Sequence, residues 1–535
     1  MRLARMGSFH QTRLSFMRSL LRRLKSENWR YKRKLWAIDE NGFGRAVYSV
    51  YGPERAYSLV AFSHDLPDHM RSDRVIATAW DATFAFYDGI PDDDDLDRLE
   101  ANVPKQEAGR ISDSELSLSR ANRSVRLWRH VVDSLAAGRQ PDREQLESVG
   151  YLVRTTAVYG SGKFGAADRL AIADRPELSG PFQAEMLSVW LTRAFSLDLV
   201  EHIAAATGGD RAVVIDSDLR RHIGVGNSTG LGMAPFLINH PALLNNWMMA
   251  REEAFARVRS LPGAEPQAVQ EFKRQFEIAS ANAAHWRSEH PIQVAKLADL
   301  RADFERMAEY IAGDSLTDDH PWDRFYCWAE QHLSLEGQEQ LLALLLEPYG
   351  ALVDELTQCM DADEHLSFFI DGAMPLARLR EIIDTSCQWA LAVDYDKPAN
   401  RARFWYTSAE KLEPRVGERF EEPGAEYELP LAVGYDIKRL HEALPEAEQD
   451  LTCAEFLLAH PEHRHTVRRV QNLVTHPYAE IQDNLVSAEM LPIDILRCKL
   501  SFFGATRFDP RSDRWVRICM YQDAPFPHEW LQEEK

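Results

Sequence analysis

The spacing of apolar residues changes along the chain, and each change predicts a different element. Leu14, Met17, Leu20, Leu21 and Leu24 recur every three or four positions, with Arg13, Arg18, Arg22, Arg23 and Lys25 between them. That pattern predicts a basic amphipathic helix. From Leu35 the period falls to two. Residues 35–38, 46–51 and 57–62 alternate apolar and polar side chains around Asn41-Gly42 and Gly52-Pro53, the punctuation of a three-stranded antiparallel meander. A fourth strand is expected over 75–87, where Ala77, Ala79, Ala82, Phe84 and Phe86 mark one face.

Helical spacing takes over from about residue 111. Helices are predicted over 124–137, 142–159 and 181–206, the last opened by Gly180-Pro181 because proline is tolerated where a helix needs no N–H. This third helix is apolar on nearly every side and should be central, yet Glu185, Ser188 and Thr192 draw a polar stripe along it. Buried polar groups need partners in the protein or in a ligand. Phe272 and Phe276 mark one further helix and Leu297, Leu300, Phe304 and Met307 another, an antiparallel pair divided at His290-Pro291. Helical character continues over 334–358 and 376–393, followed by a strand-like 403–406 and a Pro, Gly and Glu-rich stretch over 412–430. Short helices over 435–443, 450–459 and 463–474 then lead to a hairpin of 499–503 with 515–521.

The fold class that follows is α+β: a helix-dominated globular fold with an N-terminal antiparallel β-meander and a C-terminal β-hairpin, whose strands can share one sheet. In order along the chain come a basic arm (1–34), a β-rich region (35–110), a mainly helical core (111–395) and a mixed C-terminal region (396–535).

Composition adds limits. The 535 residues are 45% hydrophobic and 27% charged, ordinary values for a folded chain. Net charge is −21, but residues 1–34 hold eleven basic side chains and one acid, so the arm is +10 and the remainder −31. An acidic body repels nucleic acid and anionic lipid and attracts its own arm. The arm is therefore expected to dock on the body or on a second copy in a homo-oligomer, and nucleic acid is a disfavoured partner. The longest aliphatic run, Leu341 to Leu346, is far short of the ~20 residues of a membrane-spanning helix, so no membrane insertion is expected. The basic residues Arg18, Arg22, Arg23 and Lys25 interrupt the place of a secretory h-region, and the six cysteines form no CxxC pair. Both point to reduced thiols in the cytoplasm.

Two glycine-rich loops could carry chemistry. Gly224, Gly226, Gly230 and Gly232 flank Asn227, Ser228 and Thr229. Backbone able to approach a ligand closely, with side-chain donors beside it, suits a carboxylate or phosphate. The other reading is backbone packed closely on a neighbour. A dinucleotide stays open as cofactor, but its fingerprint is incomplete: no acid stands about 20 residues on to read a ribose. The second stretch, Gly160-Ser161-Gly162-Lys163-Phe164-Gly165, lacks the first glycine and the Ser/Thr of a phosphate-binding loop, so a nucleotide triphosphatase is disfavoured. Ser161 and Lys163 are retained as anion ligand and as catalytic base or charge, against a simple helix-capping role for the lysine. His64 and Asp65 follow the third predicted strand and complete the catalytic candidates as an acid–base pair. No metal-ligand spacing and no haem signal is present. Asp318, Asp319, His320, Asp323 and Glu330 form an acidic patch that reads as a helix start, because His320 precedes Pro321.

The expectation is a cytoplasmic enzyme acting on a small carboxylate- or phosphate-bearing molecule by acid–base chemistry, of lyase, isomerase or transferase type. The site would combine Lys163, His64 and Asp65 with Ser161, Glu185, Thr192 and the 224–232 segment. The competing expectation is a non-catalytic scaffold protein whose basic arm docks a partner.

Overall fold

A computed structural model describes residues 1–2, 5, 8–70, 79–103, 112–155, 174–178, 180, 182–229, 241–286, 291–313, 315–360, 371–397, 400, 404–406, 415–416, 429–430, 433–444, 451–480, 482, 499–510 and 516–534. The chain forms two compact units. One comprises Ser15–Thr229, Phe503–Asp509 and Arg517–Lys535, and the other Met1–Leu14, Gly230–Phe502 and Pro510–Val516.

The first, the sheet unit, opens with α1 (Phe16–Ser26), capped by the Ser15 hydroxyl at the Arg18 N–H. Its Phe16, Met17, Leu20, Leu21 and Leu24 are all buried. Strands β1 (Arg30–Ile38), β2 (Gly44–Tyr51), β3 (Ala56–Ser63), β4 (Ala82–Asp88), β5 (Glu115–Arg123) and β6 (Tyr151–Thr155) follow. Each pairs antiparallel with the one before it. The predicted Asn41-Gly42 turn joins β1 to β2, with Gly42 at φ +86° and the Asp39 carboxylate accepting from the Asn41 and Phe43 N–H groups. Strands β7 (Gly224–Thr229), β8 (Ala505–Pro510), β9 (Val516–Met520) and β10 (Gln532–Glu533) complete a ten-stranded sheet in the order β8-β9-β7-β6-β5-β4-β3-β2-β1-β10. The strands at the two ends of the chain do share one sheet, but it is mixed: β7 runs parallel to β6 and β10 parallel to β1.

Alternation along the strands gives the sheet two apolar faces. Val60, Phe62, Ala85 and Tyr87 pack with Leu96, Leu99 and Val103, contributed by α2 (Asp93–Asn102) and the residue after it. The acidic run at 92–95 is a helix start: Asp92 caps the Asp95 N–H, and the Asp95 carboxylate returns to the Asp92 N–H. Phe84 points to the other face and meets Phe195 at 5.6 Å. Phe195 belongs to α5 (Gln183–Gly208), 26 residues long and buried over most of its length. The central helix is therefore where the sequence places it. Helix α1 lies against it, Phe16 stacking on Phe182 at 5.4 Å and the Trp530 indole donating to the Leu21 carbonyl.

Several expected boundaries move. Residues 142–159 are not one helix: α4 (Arg143–Val149) ends at Gly150, φ +78°, and β6 begins at once. A left-handed glycine ends a helix regardless of the apolar pattern beyond it. The helix expected from 124 starts at Trp128 as α3 (Trp128–Ala136). Residues 499–503 form a π-helical turn where a strand was expected.

The second, helical unit contains α6 (Pro241–Arg259), α7 (Pro266–His285), α8 (Pro291–Ala312), α9 (Pro321–His332), α10 (Leu335–Leu345), α11 (Leu376–Ser386), α12 (Val433–Ala443), α13 (Cys453–Ala459) and α14 (Arg464–Thr475). A small sheet is formed by 404–406, 415–416 and 429–430. Helices α7 and α8 are the predicted antiparallel pair. Phe276 meets Phe304 at 5.5 Å while Arg301 donates to the Ala283 carbonyl, so contacts advance along one helix as they retreat along the other. Cys387 is a core thiol, fully buried, its pKa pushed up to about 12 by desolvation. Among the described residues no helix is long and apolar enough to cross a membrane.

Candidate functional site

Of the predicted site residues, Gly224, Gly226, Asn227, Ser228 and Thr229 lie on β7, beside β6. These strands run side by side in parallel, Tyr151 opposite Gly224, Arg154 opposite Gly226 and Thr155 opposite Asn227. Their carboxyl ends therefore share one edge of the sheet. Residues 156–173, with Ser161 and Lys163, follow Thr155 in sequence, and Gly230 and Gly232 follow Thr229; all four named residues lie outside the described ones.

The first half of the 224–232 segment differs from expectation. Gly224 to Thr229 is strand, not loop, and its glycines serve close packing. A Cβ on Gly226 would stand 2.6 Å from the Tyr151 ring, and one on Gly224 would stand 2.6 Å from the Cys519 sulfur and strike the Met520 carbonyl oxygen. Neither glycine has a positive φ. They are needed because neighbouring strands approach too closely for any side chain. Asn227 is half-buried opposite Thr155, the last residue of β6, with Ser228 and Thr229 completing β7 along the backbone.

His64 and Asp65 do follow β3, but they do not meet the stripe on α5. The His64 Nε2 lies 2.8 Å from the Thr83 hydroxyl, and Thr83 shares its face of β4 with Ala85, toward α2. Helix α5 covers the opposite face. Burial lowers the His64 pKa, with Asp81 and Glu100 opposing it, so the ring is a neutral imidazole tied to one strand. Asp65 is exposed.

On α5, Ser188, Thr192 and Phe195 follow at spacings of four and three, so the stripe shares the side that carries Phe195 onto the sheet. The Thr192 hydroxyl donates back to the Ser188 carbonyl at 2.9 Å, a local bond that satisfies it without a ligand. The Ser188 hydroxyl is buried with no hydrogen-bond partner, and Glu185 is half-buried in the first turn.

Among the buried arginines of this unit, Arg154 and Arg193 were not singled out from the sequence. Arg154 is 6% exposed at the end of β6. Arg193 is fully buried in the middle of α5. It donates from Nε to the Ile223 carbonyl and from Nη1 to the Ala524 carbonyl, at 2.6 and 2.7 Å, and lies 3.8 Å over the Phe526 ring. Desolvation lowers its pKa to about 9. With Tyr521 donating to the Met186 carbonyl and Trp190 to that of Pro525, Arg193 ties the chain after β9 to α5. A lone arginine in a helix apolar on every side was the available signal.

Among the described residues no group of three or more His, Cys, Asp or Glu is placed to hold a metal ion. Comparison with protein-family models, curated proteins and solved structures finds no match.

Proposed function

We propose that the sheet unit binds a small carboxylate- or phosphate-bearing molecule at the carboxyl ends of β6 and β7, and that the protein is a cytoplasmic enzyme acting on it by acid–base chemistry. The observation that supports this reading is the parallel pairing of the two strands. Ligands of open sheets collect outside the carboxyl ends of parallel strands, where following segments present N–H groups outward. The segment with Ser161 and Lys163 follows one such end, and Asn227 lies two residues before the other. Lys163 supplies charge or proton transfer here; His64, held on the α2 face, is left out of that role. The five described cysteines are unbridged, as a reducing compartment requires.

The scaffold reading is less well supported, since a partner-docking arm must present its apolar face and that of α1 is filled by its own unit. Thermal unfolding of the full chain with phosphate, citrate and malate tests the proposal. At least one should raise the midpoint, and Lys163→Ala should remove that rise without moving the ligand-free midpoint. No rise with any of the three, or an undiminished rise in the variant, overturns it.

A further inference from the structure

A cleft of about 530 Å³ opens in the helical unit, within the ~300–1,000 Å³ range of small-molecule sites. Helix α6 contributes Glu252, Phe255 and Arg259 to its wall and α9 contributes Asp323, Tyr326 and Glu330, with Arg5 from the N-terminal segment. Spacings of three and four place each set on one helical face. His320 also lines it, as the N-cap of α9 at φ +50°.

Most of the charge here is already balanced. Arg251 and Glu339, 3% and 2% exposed, are in direct contact behind the wall. Arg251 also donates to Glu252 at 3.0 Å. Arg5 donates from Nε to Glu339 at 3.2 Å and lies 3.8 Å from Glu252 through Nη2, so two arginines and two glutamates close into a neutral group. Arg259 pairs with Asp323 at 2.6 Å through Nε and Nη2. Its guanidinium lies 5.0 Å from the Tyr326 ring centre and 5.3 Å from that of Phe255, rings that meet edge to face at 4.4 Å.

What is left open is specific. Among the described residues, the Nη1 groups of Arg5 and Arg259 and the Tyr326 hydroxyl make no hydrogen bond, and exposed Glu330 has neither hydrogen bond nor ion pair. These groups lie within electrostatic reach of one another: Arg5 and Glu330 both act on the Tyr326 hydroxyl, and Glu330 acts on Arg259. Arg5, Arg259, Tyr326 and the unpaired Glu330 thus line one cleft.

We propose that this cleft binds a zwitterionic amino acid, its carboxylate on the Arg5 and Arg259 edges with the Tyr326 hydroxyl donating, and its ammonium at Glu330. A simple anion would meet Glu330 unpaired, and a simple cation would leave two guanidinium edges facing it; a molecule carrying both charges satisfies each of these four groups. The inference does not rest on the proposed site in the sheet unit.

Calorimetric titration of the full chain with each proteinogenic L-amino acid tests it, followed by the deamino acid and the decarboxylated amine of the tightest binder. The amino acid should bind about tenfold or more tightly than either analogue. Glu330→Gln should weaken the amino acid and the amine by about two- to fivefold while the deamino acid binds no more weakly than to the wild type. Glu330 is exposed, so the variant should keep the wild-type urea midpoint. The proposal is overturned if no amino acid binds below ~10 mM, if the deamino acid binds as tightly as the amino acid, or if Glu330→Gln binds unchanged.

Discussion

Each unit of this protein buries an arginine completely, and the two are held in different ways. Arg193 in the sheet unit is surrounded by backbone: its hydrogen bonds go to the carbonyls of Ile223, Ala524 and Pro525. Arg251 in the helical unit is held by the carboxylates of Glu252 and Glu339. Burial depresses both, to about 9 and about 10 respectively. A cation fixed by carbonyls is a structural rivet, because its partners carry no charge that a ligand or a pH change can alter. A cation fixed by carboxylates belongs to a network, and through Glu252 and Glu339 this one extends to Arg5 in the cleft wall. The difference separates a buried arginine closed on the backbone around it from one whose ion pairs reach the ionic groups of a cavity.

Removing each cation is the strongest way to break that contrast. Arg251→Met leaves Glu339 buried with only Arg5 to compensate it, and should lower the unfolding free energy by about 3–5 kcal/mol. Arg193→Met leaves neutral carbonyls unpaired and should lose less, about 2 kcal/mol. Urea unfolding of both variants measures the order, and Arg193→Met proving the more damaging would undo the comparison.

A smaller effect separates packing from binding in β7. If Gly226 is present because the Tyr151 ring leaves no room, then Gly226→Ala should destabilise the ligand-free protein by about 1–3 kcal/mol. If the glycine instead cradles a ligand, the ligand-free midpoint will not move and only anion binding will fall.

These glycines also show where the sequence was and was not readable. Local signals survived folding: the apolar spacing of α1, the Asn41-Gly42 turn with its positive φ, the all-apolar α5 and the proline-started α9 stand as the pattern placed them. Each depends on residues within a turn or two of one another. For Gly224 and Gly226 two readings stood open and the sequence could not choose between them, because what crowds them is Tyr151, Cys519 and Met520, residues distant in sequence that lie on neighbouring strands. Gly150 was passed over because one left-handed residue outweighs an apolar pattern that continues beyond it. Asp319 before His320-Pro321 reads as a helix start, and α9 does begin at Pro321, yet His320, Asp323 and Glu330 of the same stretch line the cleft. Their second role depends on Arg5 and Arg259, more than 60 positions away, and no spacing rule connects them.

The gentlest probe concerns His64, which bears on whether the α2 face of the sheet is closed or reactive. Its pKa is lowered in the folded protein, first by burial, with Asp81 and Glu100 in opposition. Above about pH 6.5, the ordinary histidine value, the ring is neutral in both folded and unfolded chains and its contribution to stability is complete. As pH falls below that value the unfolded chain takes up the proton first, so stability declines until the folded ring protonates as well. His64→Gln keeps a polar group beside Thr83 and removes the titration. The stability of the wild type should therefore fall more steeply than that of the variant between pH 7 and pH 5, a comparison in which the other histidines cancel. Parallel curves would mean that the His64 ring is as open to solvent as an unfolded one, and that this face of the sheet is available for proton transfer after all.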